Sequence, residues 1–162
     1  MSFNNIKTKL RSEKGFTIVE LLIVIVVIGI LAAITIVSFN GVTARANTTS
    51  AKSAASAVIK KAEAYNAEKA RYPITAAELT TGATQTDSFY LTGVTILTAA
   101  PTSANGKTSV QMLKCSATAL AQSAIDATNI TGISVIYFDF SANAVVTGTD
   151  ILKTGNTAFC NP

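Results

Sequence analysis

From Phe16 to Phe39 the chain carries a single ionisable side chain, Glu20, in a run of 24 residues whose other polar members are only Thr17, Thr35 and Ser38. As a helix rising about 1.5 Å per residue, this stretch is roughly 36 Å long, enough to cross the hydrocarbon core of a bilayer. A carboxylate at that depth costs about 2.5 kcal/mol or more by insertion scales, so Glu20 needs a compensating partner. With one span removed, the 162 residues leave room for one modest folded domain.

The flanks orient the span. Residues 1–15 hold Lys7, Lys9, Arg11 and Lys14 against Glu13, whereas the remainder has nine basic against eight acidic residues, so the net charge of +4 belongs mainly to the start. Basic residues just before an apolar run keep that end on the cytoplasmic side, and the C-terminal part is then exported. Past residue 40 the commonest polar residues are Thr, Ser and Asn, which suit strands and surface loops. An exported domain can keep a disulfide; Cys115 and Cys160 are accordingly either bonded or a pair of buried thiols.

A secretory signal peptide also begins basic and turns apolar, but its apolar core is about 7–15 residues and ends in an Ala-x-Ala-like site. Ile30-Leu31-Ala32-Ala33 is the place where such a cut would fall. The longer run, with its small residue placed before it, fits that scheme less well.

The stretch Lys14-Gly15-Phe16-Thr17-Ile18-Val19-Glu20-Leu21-Leu22 resembles the processing site of type IV pilins and related pseudopilins: a basic leader ending in Gly, an aromatic after it, and one acid four residues further on. The resemblance covers residues 7–40 closely and the rest only in layout. It implies a leader of residues 1–15 cut between Gly15 and Phe16 by a prepilin peptidase, N-methylation of Phe16, an assembly segment over 16–39 and an exported domain over 40–162. Gly15 lets an extended backbone enter a protease cleft without a Cβ clash. Glu20 would pair with the Phe16 amine of a neighbouring subunit, two charges costly alone in lipid becoming tolerable together; the alternative is a charge held by another helix of a membrane complex. Many pilins carry a proline near the position of Val37, with helical order lost between a glycine and that proline on packing. This chain keeps Gly29 but has no proline before Pro73, so any flexibility there rests on Gly29 and on Ile34, Thr35, Ile36 and Val37.

Beyond the span, Ala51, Ala55, Val58, Ile59, Ala62 and Tyr65 recur at spacings of three and four, the stripe of a helix packed on a sheet. Lys52, Lys60, Lys61, Glu63 and Lys69 mark the solvated face. Asn40-Gly41 is a candidate bend, and Arg71-Tyr72-Pro73 should stop a helix of about 57 residues, or roughly 85 Å. Thr75-Ala76-Ala77-Glu78 reads as a capping box opening a turn that ends near Gly82. Strands are expected over Phe89–Leu97 and Thr108–Cys115, and as a hairpin of Ile133–Phe140 with Ala144–Gly148 around Ser141-Ala142-Asn143. Residues 116–128 fit a short helix or a loop. The expected fold is α+β: a long N-terminal helix on a small antiparallel sheet of about four strands. A Cys115–Cys160 bond, similar to the C-terminal disulfide of many pilins, would tie down a Gly/Thr/Asn-rich tail.

No histidine is present, no cysteine pair has metal-ligand spacing, and neither a phosphate loop nor a nucleophile elbow occurs. Neither catalytic residues nor a cofactor or metal is therefore expected. Asp139 and Asp150 are the only candidates for a calcium site like those of some secretion pseudopilins, and solvent-facing carboxylates are the plainer reading. Lys52, Lys60, Lys61, Lys69 and Arg71 could line a DNA track, but Ala and Glu interrupt them, so nucleic acid is not indicated.

The resemblance implies a structural subunit of a pilus filament, polymerised with copies of itself and with minor pilins. It would be extended from a membrane platform by separate ATPases, and serve adhesion, twitching motility or DNA uptake. The alternatives are a pseudopilin of a type II secretion system and, from another class, a monomeric membrane-anchored binding module.

Overall fold

In the computed structural model residues 15–148 and 151–160 are described; the basic leader and Asp150 lie outside them. The chain divides into two compact units, residues 1–40 and 41–162. Helix α1, Ile18–Lys69, contributes to both.

In the first unit α1 is built from aliphatic residues that nothing in the chain covers. Every residue from 15 to 40 is exposed, Phe16 by 89% and Val37 by 76%. Helical geometry continues through Asn40 and Gly41, the candidate bend.

In the second unit the helix acquires a buried stripe. Ala51, Ala54, Ala55, Val58, Ala62 and Tyr65 are buried and Ile59 partly so, the three-and-four spacing expected of an amphipathic helix. Its alanines share one hydrophobic core with the sheet residues Val110, Ile133 and Val135. The helix stops at Lys69, slightly before the Arg71-Tyr72-Pro73 stop. Ala70 takes a left-handed conformation (φ 56°), and its N–H still donates to Asn66 O at 2.8 Å. A single 3₁₀ turn, Ala76–Leu79, follows the Thr75–Glu78 box, with Thr75 N–H donating to Glu78 Oε2 at 3.2 Å.

Among the described residues the unit also has six strands: β1 Thr95–Leu97, β2 Ser109–Ser116, β3 Ile130–Ile136, β4 Phe138–Asp139, β5 Ala144–Val145 and β6 Leu152–Gly155. Four of them form one sheet in the order β1-β2-β3-β6, and β4 pairs with β5 as a separate antiparallel hairpin. In the main sheet β2/β3 and β3/β6 are antiparallel, with Met112 opposite Val135 and Ser134 opposite Lys153. The sheet is mixed rather than purely antiparallel, because β1 runs parallel to β2. The connection over 98–108 is long enough for the crossover that parallel pairing needs.

Alternation on the strands directs Val110, Ile133 and Val135 into the core shared with α1, where Leu79, Phe89, Leu91 and Ile125 join them. Tyr65 and Phe89 meet edge to face at 4.9 Å. Leu113 and Ile136 are buried on the opposite side of the sheet.

Two strand expectations are corrected. Only Thr95–Leu97 of Phe89–Leu97 joins the ladder, since Gly93 takes φ 74° and Leu91 N–H is diverted to Leu79 O at 2.7 Å. The hairpin shrinks to β4 and β5, with Asn143 left-handed at φ 50° in its turn, because Ile133–Ile136 pairs with β2 and β6 instead. After Ser116, which ends β2, the segment left open between a short helix and a loop is a loop that carries the 3₁₀ turn Gln122–Ala124. The tail, read as irregular, contains β6.

Candidate functional site

The residues singled out around the cut site fall at the helix start. Thr17 precedes the first turn and Glu20 closes it: Glu20 Oε2 accepts from Thr17 N–H and from Thr17 Oγ1, each at 2.8 Å, while Thr17 Oγ1 accepts from Glu20 N–H at 3.2 Å. This is a reciprocal capping box, which satisfies donors that a helix start leaves without partners. It also folds the carboxylate back toward the N-terminal end of α1, where the helix dipole favours negative charge. Gly15 and Phe16 stand just outside this cap, exposed. A methyl group at Gly29 would meet nothing within 4 Å, so that glycine is not demanded by packing within the chain. Thr35, six residues on, returns its hydroxyl to Ala32 O at 2.9 Å, a bond that mildly weakens a helix.

The helix is long and apolar enough to cross a membrane, its most apolar window having a mean hydropathy of 3.2 with no residue buried. An exposed apolar surface of this extent requires lipid or other protein around it.

The family of the prokaryotic N-terminal methylation motif matches residues 10–36. Two fimbrial proteins of Pseudomonas aeruginosa are each 40% identical to the chain over 86 residues, 53% of this chain and 51% of theirs. Over these stretches the chain is similar to proteins that carry the N-terminal methylation motif and to fimbrial proteins. The chain spans about half the length of the curated relatives it matches, and no solved structure matches it.

At the other end of the chain Cys115 and Cys160 form a disulfide with Cα atoms 4.3 Å apart. Ser116 N–H donates to Phe159 O at 3.0 Å, so the tail adds a backbone bridge beside the covalent one.

Asp139, the described half of the calcium pair, has one carboxylate oxygen engaged within the chain. One oxygen accepts from Thr48 Oγ1 at 2.9 Å, Ser141 N–H at 2.8 Å and Ala142 N–H at 3.2 Å, and the Thr48 hydroxyl above all holds the carboxyl below its usual range. Its role is to fasten the β4–β5 hairpin to α1, and among the described residues no group of three or more acids, cysteines or histidines could hold a metal.

The basic stripe is likewise broken up. Lys61 Nζ donates to Ser88 O at 2.7 Å, Lys69 pairs with Glu68 and lies over the Phe89 ring, and Arg71 pairs with Glu78 while lying over Tyr65. Sequence reasoning missed two arrangements. The Thr17–Glu20 box was visible as Thr-x-x-Glu but obscured by the interest of Glu20 as a lone charge. The Glu78 cluster was half visible: Glu78 also accepts from Tyr65 Oη at 2.8 Å and Ile74 N–H at 2.6 Å, and no short-range pattern signals Tyr65.

Proposed function

We propose that this chain is the subunit of a type IV pilus filament, made as a prepilin with leader 1–15 and an assembly segment 16–39 ahead of an exported domain 40–162. The observation that carries the reading is the capped helix start. Glu20, four residues past the Phe of a Gly–Phe junction, is held at the start of an apolar helical stretch whose residues are all exposed up to Asn40. A prepilin peptidase cuts between Gly15 and Phe16, the Phe16 amine is methylated, and the Glu20 carboxylate pairs with that amine on a neighbouring copy.

Before assembly the apolar helix sits in the membrane with the second unit exported. Afterwards copies and minor pilins replace lipid around it in a surface fibre, driven by an assembly platform with separate ATPases. Gly29, the least helix-favouring residue of the span, is the point at which the helix yields if packing requires it. The likeness to fimbrial proteins supports a filament rather than a lone anchored module. Adhesion, twitching motility and DNA uptake are the roles such a fibre serves.

Electron microscopy of cells labelled with antibody to the exported unit tests this. Long labelled surface filaments are expected. Short periplasmic assemblies would move the chain to the type II secretion pseudopilins, and label without any assembly would make it an anchored binding module.

A further inference from the structure

The chain holds two Asn-Gly dipeptides, Asn40-Gly41 and Asn105-Gly106. An asparagine followed by glycine is the pair most open to attack by the backbone on its own side chain, because no Cβ on the second residue shields the nitrogen. The two pairs lie in unlike surroundings. Helical geometry runs through Asn40 and Gly41, so the Gly41 N–H is committed to the ladder and a helix interior must open before it can react.

Asn105 and Gly106 sit in the connection between β1 and β2, where the asparagine side chain closes a turn on Thr102. Its Oδ1 accepts from Thr102 N–H at 2.8 Å and from Thr102 Oγ1 at 3.3 Å. Two donors on that oxygen stabilise the negative charge that gathers there when Cγ is attacked. The leaving group is unhindered, since Asn105 is exposed and its Nδ2 makes no hydrogen bond among the described residues.

Packing demands the glycine. Gly106 is buried, and a methyl group there would come within 2.6 Å of Phe138 Cβ and 2.8 Å of Thr102 O, so a bulkier residue that would shield the junction is shut out. One bond restrains the reaction: Gly106 N–H donates to Thr102 O at 2.8 Å and must let go before its nitrogen attacks. A single turn bond in an exposed connection opens far more readily than the interior of a 52-residue helix.

We infer that Asn105 is a self-modification site, at which the Gly106 backbone nitrogen displaces ammonia from the asparagine side chain. In the first step the bond from Gly106 N to Cγ forms, the Cγ–Nδ2 bond breaks, and the Gly106 amide proton leaves with Nδ2 as ammonia, giving a succinimide. Solvent water then opens the ring at either carbonyl and leaves aspartate or isoaspartate at 105. Either product places a negative charge beside Lys107. Isoaspartate also adds one carbon to the main chain directly before the close-packed Gly106, and so loosens the connection whose Lys107 O accepts from Ser50 Oγ at 3.2 Å. The reaction needs no second subunit and is independent of the filament reading.

The test incubates the full chain in detergent micelles at mildly alkaline pH and follows it by peptide mass spectrometry, with electron-transfer fragmentation to separate isoaspartate from aspartate. A parallel sample is digested before incubation, so that both pairs react in unstructured peptides. The folded chain should gain acid at 105 faster than at 40 by about tenfold or more, because opening free energies run from near zero in loops to the global value within core elements. In the digested sample the two rates should converge. No acid at 105 in the folded chain while the peptides convert, equal conversion at 40 and 105 in the folded chain, or aspartate without isoaspartate, overturns the inference. A difference that persists in the peptides assigns the selectivity to local sequence and overturns the role given to the fold. Amide exchange over residues 98–108 should be faster in the isoaspartate fraction, and equal exchange overturns the loosening.

Discussion

Glu20 Oε2 stands 2.8 Å from both the backbone nitrogen and the hydroxyl of Thr17, so the one acid of the apolar segment is held by its own chain at the helix start. The carboxylate is thus oriented by its own chain, and in the proposed filament a neighbour's amine would meet it without a search over rotamers. In Glu20→Val the junction between Gly15 and Phe16 is untouched. Cleavage should proceed and filaments should be lost, scored by immunoblot of the shift in mass and by electron microscopy. Thr17→Ala keeps the charge and removes the cap, at about 1 kcal/mol of local helix stability. It should still give filaments, with faster hydrogen exchange over the first turn.

The Cys115–Cys160 bond closes a separation of 45 residues that contains β3 to β6. In the chain-entropy account such a loop is worth roughly 3–4 kcal/mol. Cys115→Ser/Cys160→Ser should lower the melting temperature of the exported unit by on the order of 10 °C. Amide exchange should rise first in the tail around the Ser116–Phe159 bridge.

Glu78 supplies a pH signature. Burial pushes its carboxyl up, but Arg71, the Ile74 and Thr75 N–H groups and Tyr65 Oη outweigh burial and bring it from 4.5 to about 2. A carboxylate whose folded value is depressed stabilises the fold above its unfolded value and loses that contribution as pH falls. Stability should therefore decline between about pH 4.5 and pH 2, by about 2 kcal/mol after allowance for partial solvent screening. Glu78→Gln should be less stable at neutral pH by a similar amount, with a flatter acid limb in circular-dichroism melts.

Gly132 and Gly155 face each other across β3 and β6. Gly155 takes φ 79°, and a methyl group there would come within 2.5 Å of Thr131 O and 2.6 Å of the Tyr72 ring. Gly155→Ala should cost about 2 kcal/mol or more, from conformational strain and the displaced Tyr72, and is checked by urea unfolding.

The helical half of the fold was legible because its determinants are local. The alanine stripe ending at Tyr65 and the Thr75–Glu78 box each announce themselves within a few residues, and both are found in place. The sheet was less legible because pairing is decided across the chain. Nothing within Leu152–Gly155 shows that β3 will recruit it, and nothing in Phe89–Leu97 shows that Leu91 will bond to Leu79. At the candidate site Gly15, Phe16 and Glu20 stand out by type and spacing alone. The bond from Thr48 to Asp139, 91 residues away, does not.

The account stands or falls on where the mature chain begins. Mass spectrometry of the N-terminal peptide, from protein purified out of sheared surface fibres or membranes, reads this directly. The account predicts a peptide that starts at Phe16 and carries one methyl group on its amine. A mature protein starting at Ile34, directly after Ala33, or an uncut chain beginning at Met1, would contradict it.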